Sequence, residues 1–416
     1  MFRWPQVRSH RFPVLESSSC CTVDQREQYV QQPEVEFSLA ALFPADFFSQ
    51  PSPPVQFCST QRNAQVTVYT TLESAIQERL LTLLRRYAPL AGAGVVIEPQ
   101  TGAVLAMVSY RNSEQQPPVL AAGKDNYCLY AGFPAASLIK IVTAGAVLEK
   151  KGFTSSKTLP VAGRFHTLYK HQIGLKRPRF KPQSVSLEKA FSLSVNPYFG
   201  KLGIEVLGEQ ELQETAQEFL FDMPMVFDLP LAASQIMVPE SAYERAELAC
   251  GFNTETTISP LHAAMIAAVP VNGGKIMRPY LVERLVADSG EEVFFRHPET
   301  LTQPLQGKSL QDLQRLMRAT VRYGTAKKAF AHLRRVRGSR DWLLGGKTGT
   351  IDLPSREGRC EWFAGYGQNG ERQVGISLVL VHGKNRTISS SYLAAEIIKS
   401  ALQKKPLKTV LEEHRG

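Results

Sequence analysis

The sequence predicts an α+β protein: one antiparallel five-stranded sheet flanked by helices, with a mostly helical subdomain beside it. Three observations point there. Two β-runs lie early, Val95 to Glu98 and Ala103 to Ser109, joined by Pro99-Gln100-Thr101-Gly102, which is a hairpin signal. Strand patterns return only in the last third: Trp342-Leu343-Leu344 running into Gly345 to Thr350, then Glu361 to Tyr366, then Gln373 to Val381. Between the two sets stands Phe133 to Gly152 (FPAASLIKIVTAGAVLEKKG), a helix with apolar residues on nearly every side, which belongs in the middle of a domain.

The elements follow in order. Residues 1–65 are poorly patterned, with turn-rich pieces at Ser17 to Ser19, Gln31 to Pro33 and Gln50 to Pro54. Phe37 to Phe48 holds several apolar residues able to dock on the main body. The patterned domain is expected over 66–416. Thr70 and Glu73 fit a capping box, and Leu72, Ile76, Leu80, Leu83 and Tyr87 trace one helical stripe. After the central helix, Lys157 to Pro182 is basic and irregular. Ser186 caps a short helix over Leu187 to Leu193, and Pro197 biases Asn196 away from helix toward a turn. Glu209 to Leu220, Leu261 to Ala268 and Gln311 to Val321 read as helices, and Tyr280 to Val286 as a strand. A closing helix starts at Ser390 or Ser391, with Leu393, Ile397, Ile398 and Leu402 on its apolar side.

The totals bound the function. A chain of 416 residues with 43% hydrophobic and 21% charged content is that of a globular protein. Its net charge of +10 favours anionic surroundings, and Arg164 to Lys181 and Lys327 to Arg340 carry much of that charge. Six cysteines in so long a chain do not make a disulfide scaffold, and Cys250 reads as a small core residue. No histidine pairing or C-x-x-C of the kind metal sites use occurs, so neither a metal nor another cofactor is expected. No apolar run reaches membrane-helix length, and the first residues show no signal-peptide core.

Ser137 and Lys140 stand three apart, on one face of a helix start that is otherwise apolar. A hydroxyl and an amine there are expensive to desolvate, which points to nucleophilic catalysis. Two further motifs follow in order, Ser194-x-Asn196 and Lys347-Thr348-Gly349. Ser186-Leu187-Glu188-Lys189 also fits S-x-x-K, but reads as a cap followed by solvated charges. The trio is the one found in penicillin-binding proteins and serine β-lactamases. From about Val66 to Leu402 the chain resembles a penicillin-binding transpeptidase domain. Ile258 to Ala264, Asn272-Gly273-Gly274, Gly324-Thr325-Ala326 and Trp362 to Tyr366 are similar to that family's segments as well. It departs from the family at Ala135-Ala136-Ser137, where Pro-Gly-Ser is frequent, and at Cys250-Gly251-Phe252, where Gly-Gln-Gly is common.

A serine hydroxyl is a poor nucleophile without an adjacent base. Neutral Lys140 can take the Ser137 proton; burial and the charge of Lys347 are both expected to depress its pKa. Ser194 is placed to relay a proton to the leaving amine, and Asn196 to hold Lys140 and the substrate backbone. The resemblance implies an oxyanion hole made by the backbone N–H groups of Ser137 and Thr350. Thr348, Gly349 and Thr350, with Lys347, are expected to bind the terminal carboxylate. The resulting expectation is a D,D-transpeptidase that cross-links peptidoglycan stem peptides through a Ser137 acyl-enzyme. β-Lactams would be inhibitors, other cell-wall synthesis proteins partners, and nucleic acid no partner. By resemblance its place is the cell envelope, outside the cytoplasmic membrane. Alternatives are a class D-like β-lactamase or β-lactam sensor, since Ala135-Ala136-Ser137 is closer to that family's Pro-Ala-Ser, and a D,D-carboxypeptidase.

Overall fold

A computed structural model of the chain describes residues 38–403, apart from 45–46, 50–52, 62–63, 115–125, 178 and 354–357. The turn-rich pieces at Ser17 to Ser19 and Gln31 to Pro33 therefore lie outside the described residues.

The predicted hairpin forms strands β3 (Ala91–Ile97) and β4 (Val104–Arg111), behind β1 (Gln56–Gln61) and β2 (Ala64–Thr70). Later come β5 (Val282–Ala287), β6 (Glu292–Phe295), β7 (Leu343–Asp352), β8 (Arg359–Asn369) and β9 (Arg372–His382). The five-stranded sheet runs β7-β8-β9-β3-β4 and is antiparallel throughout. Early and late strands meet at β9 and β3, where Val379 lies opposite Ala93. The sheet is thus assembled from both ends of the domain, and its edge strand β7 carries Lys347, Thr348, Gly349 and Thr350.

Side-chain alternation gives the sheet two apolar faces. On one, Ala93, Val95, Trp362 and Val379 join the core of the central helix α2 (Lys140–Lys150) and of α7 (Pro260–Ala268). On the other, Val96, Phe363, Leu378 and Leu380 meet α1 (Ser74–Tyr87) and the closing helix α9 (Ser390–Gln403). Helices α3 (Leu187–Ser192), α4 (Asn196–Lys201), α5 (Glu209–Glu218) and α6 (Ala242–Cys250) build the helical subdomain beside α2, and α8 (Gly307–Arg322) packs on both α3 and β7. Every residue of α2 from Lys140 to Leu148 is buried, as its all-round apolar pattern requires.

Several expectations need correction. Thr70 does not cap α1. It ends β2, its hydroxyl donates to the Val55 carbonyl at 2.9 Å, and Glu73 takes the N-cap position without a side-chain cap bond. Glu73 is instead paired with Arg372 in the core, because a buried carboxylate needs a cation more than a helix end needs a second cap. Asn196 is not a turn residue: it opens α4, with Pro197 in the first helical turn, where a missing N–H costs nothing. The turn falls at Ser194, whose φ of 55° is left-handed. The strand expected from Tyr280 begins at Val282.

A second sheet was not anticipated. It runs β1-β2-β5-β6, pairing Val68 with Leu285 and reaching ahead of Val66 to Gln56. Leu42 and Phe47 are buried against this region, and Phe43 packs on Phe47 and Phe57 at ring separations of 5.0 and 5.7 Å. The apolar Phe37 to Phe48 stretch docks, as far as it is described.

Candidate active site

The chain enters the site through a pinned turn. Trp362 donates its indole N–H to the Pro134 carbonyl at 2.9 Å, and the Ala135 N–H donates to Thr256 at 2.8 Å. Ala136 then adopts a φ of 47°, a left-handed value that a residue with a Cβ rarely takes. Its carbonyl lies where a Cβ on Gly251 would come within 1.9 Å, so only glycine fits at 251, itself at φ 69°. A tight turn over Ala136–Ile139 follows, and the regular helix begins at Lys140. In so tight a turn residues three apart eclipse. Ser137 and Lys140 therefore face each other, and the amine lies 2.7 Å from the Ser137 Oγ.

Three other elements converge on that pair. Lys140 Nζ donates to Asn196 Oδ1 at 2.9 Å and to the Cys250 carbonyl at 2.5 Å. Ser194 Oγ lies 3.0 Å from Ser137 Oγ, and Lys347 Nζ lies 2.9 Å from Ser194 Oγ and 2.8 Å from the Thr348 carbonyl. The result is a continuous hydrogen-bonded chain, Lys347–Ser194–Ser137–Lys140–Asn196. Ser194 holds its place only by a left-handed backbone, so two non-glycine residues at this site are strained. Such conformations cost about 1–3 kcal/mol each and persist where packing over-determines them.

Both lysines are fully buried, and no carboxylate pairs with either among the described residues. Each sits over an aromatic ring instead, Lys140 over Phe199 and Lys347 over Phe191, both 5.6 Å from the ring centre. Burial pulls Lys140 down from the ordinary lysine value to about 8. Burial, reinforced by the Lys140 charge, pushes Lys347 well below the ordinary amine range. Burial is the largest cause for both lysines, and the repulsion between the two amines adds to it.

Strand β7 completes the site. Thr348 is half-buried and shares a 2.6 Å hydrogen bond with Thr325, Gly349 packs on Ala136 and Ser137, and Thr350 is exposed. As an edge strand, β7 has one side without sheet pairing among the described residues, the arrangement that accepts an extended peptide as an added strand. All the residues singled out from the sequence thus lie in one cluster or on the strand beside it. The sequence reading missed Thr325 as a site residue, the Cys250 carbonyl and His166. Partial burial and the Lys140 charge lower the His166 imidazole, while a hydrogen bond to the Ser194 backbone opposes them and Lys347 adds to the lowering. Nothing local in Arg164 to Lys181 marks that histidine; only the fold brings it to Ser194. Cys250 is a core thiol, pushed up to about 11 by burial.

Comparison with known proteins agrees with this geometry. The chain is 27% identical over 383 residues to peptidoglycan D,D-transpeptidase PbpA of Mycobacterium tuberculosis, covering 82% of this chain and 73% of that protein. It is 26% identical over 361 residues to PbpA of Mycolicibacterium smegmatis, covering 79% and 70%. The crystal structure of PBPA from Mycobacterium tuberculosis superposes with a TM-score of 0.65 at 24% identity over 81% of this chain and 82% of that one, which shows a shared fold. A D,D-transpeptidase domain from Eggerthella lenta superposes with a TM-score of 0.61 at 26% identity over 80% and 82%. Residues 92–403, most of the chain, match the penicillin binding protein transpeptidase domain, and the chain belongs to that family.

Proposed function

We propose that this protein is a serine D,D-transpeptidase that cross-links peptidoglycan stem peptides, with Ser137 as the acylated residue. The observation that carries the reading is the hydrogen-bonded chain from Lys347 through Ser194 and Ser137 to Lys140, in a member of this family.

Neutral Lys140 takes the proton of Ser137, and Oγ attacks the carbonyl carbon of the penultimate D-Ala. The tetrahedral oxyanion is held by the N–H groups of Ser137 and Thr350. Losing one such donor typically removes about 3–4 kcal/mol of transition-state stabilisation. The C–N bond then breaks, Ser194 gives its proton to the departing D-Ala amine, and Lys140 restores that proton to Ser194, which returns Lys140 to its neutral form. Thr348 and Thr350, with Lys347, bind the terminal carboxylate, and Gly349 lets β7 lie close to Ser137. The amine of a neighbouring stem attacks the ester, loses its proton to Lys140, and frees Ser137. Water in place of that amine would give a D,D-carboxypeptidase by the same steps, and fast water attack on a β-lactam ester would give a β-lactamase.

This chemistry belongs outside the cytoplasmic membrane, where the stem peptides are cross-linked. Among the described residues no helix is long and apolar enough to span a membrane. The test is incubation with a stem pentapeptide ending in D-Ala-D-Ala plus an acceptor stem bearing a free amine. Free D-Ala and a cross-linked dimer are expected from the wild type and neither from Ser137→Ala. D-Ala without dimer would assign the carboxypeptidase reaction instead.

A further inference from the structure

A concave feature lies between α3 and α8 and includes none of the residues of the catalytic cluster. Arg315, Arg318 and Arg322 follow one another at spacings of three and four along α8, so they share one face of the helix. Like charges so spaced repel. Arg334, from the basic stretch Lys327 to Arg340, adds a fourth guanidinium by donating to the Arg322 carbonyl at 2.9 Å. Together with Glu188 and Tyr323 these residues line a cavity of about 850 Å³. That is the size of a small-molecule site.

The charges in the cavity do not balance. Glu188 is its one carboxylate, and it is already engaged by Arg315 and by the Tyr323 hydroxyl. Arg318 and Arg322 form no ion pair among the described residues, and Arg318 is half-buried. Guanidinium groups lining a concavity match oxyanions in two-point fashion better than lysines do. Arg315, Arg322 and Arg334 are exposed at the rim, so the concavity is open to solvent and accessible to a ligand. The cavity also abuts the site. Two residues after Tyr323, the Thr325 N–H donates to the Ser192 carbonyl at 3.0 Å, and Thr325 shares a hydrogen bond with Thr348.

We propose that this cavity is an anion-binding site for a compact polyanion, a ligand with two or more clustered phosphate or carboxylate groups. Arg318 and Arg322 supply the principal contacts, and Arg334 closes one side. The site stands independently of the acyl-transfer reading, because it uses none of the catalytic residues.

The test is calorimetric titration at about 0.15 M salt, where diffuse surface attraction is screened. Inorganic pyrophosphate and citrate serve as probes, with wild type and Ser137→Ala giving the same result. One saturable site is expected. Tighter pyrophosphate binding marks a phosphate-bearing source, and tighter citrate binding a carboxylate-bearing one. Arg318→Gln and Arg322→Gln should each weaken the better probe by about tenfold. Lys327→Gln with Lys328→Gln, which removes two positive charges outside the cavity against one in each arginine variant, should leave affinity within about twofold. Thermal unfolding without the probe controls for folding. Absence of saturable binding, or an equal loss in the Lys327/Lys328 variant, would overturn the proposal.

Discussion

Two buried charge clusters in this molecule are built on opposite rules. Where the helical subdomain meets the second sheet, Asp228 and Arg296 are both buried and paired at 2.5 Å. Asp228 also accepts the Leu281 and Val282 N–H groups at 2.7 Å each. Opposite charges and aligned donors offset much of the cost of burying that carboxylate, although burial still raises its pKa. At Ser137 two like charges, Lys140 and Lys347, are buried with neutral acceptors only. The first arrangement holds two parts of the fold in register. The second favours loss of a proton, which is what a lysine base needs. A buried ionisable group without a counter-charge is the sign of chemistry here, and a matched pair is the sign of structure.

The comparison breaks most visibly at Lys140. Lys140→Met should slow acylation by a β-lactam by about a thousandfold, the scale of a lost general base. The same change should raise stability near neutral pH by about 1–3 kcal/mol, because an uncompensated buried amine is replaced by a side chain of similar size. Loss of stability together with loss of activity would mean that Lys140 is structural. Asp228→Ala should do the reverse, lowering stability by about 3–5 kcal/mol through the unpaired Arg296 and leaving the acylation rate of the folded protein nearly unchanged.

The pH dependence sharpens the contrast. Lys140 acts as base only when neutral, so acylation should rise with pH through about 8. Between about 8 and the ordinary lysine value of 10.5 the unfolded chain binds this proton and the folded chain does not. Stability should therefore climb with pH across that window. Lys140→Met should flatten the acylation curve and make the stability curve shallower, with Lys347 still contributing to its rise; an unchanged acylation profile would place the titration elsewhere. The smallest effect is expected at Ala136. Ala136→Gly relieves the left-handed strain at φ 47° and should add about 0.5–1 kcal/mol of stability, measured by chemical unfolding. A loss of stability would show that the strain is not felt.

What could be read from the sequence follows the range of the interactions. The central helix, the β3–β4 hairpin and the three late strands announce themselves through short periods, and their ends fell within a few residues of expectation. The three motifs name the catalytic cluster because each lies in a local structure the pattern reveals. The second sheet was hidden because β2 pairs with β5, more than two hundred positions along the chain, and no local period encodes that partner. The Thr70–Glu73 box failed for a related reason: the distant Arg372 claims Glu73. His166 and the α8 arginines meet their surroundings only once the chain has folded.

The central claim is that Ser137 is the acylated nucleophile. Its most direct test is the intact mass of the protein after incubation with a penicillin, followed by peptide mapping. One adduct is expected on the wild type, mapped to Ser137, with none on Ser137→Ala. An equal adduct on Ser137→Ala, or acylation mapped to another serine, would contradict the account.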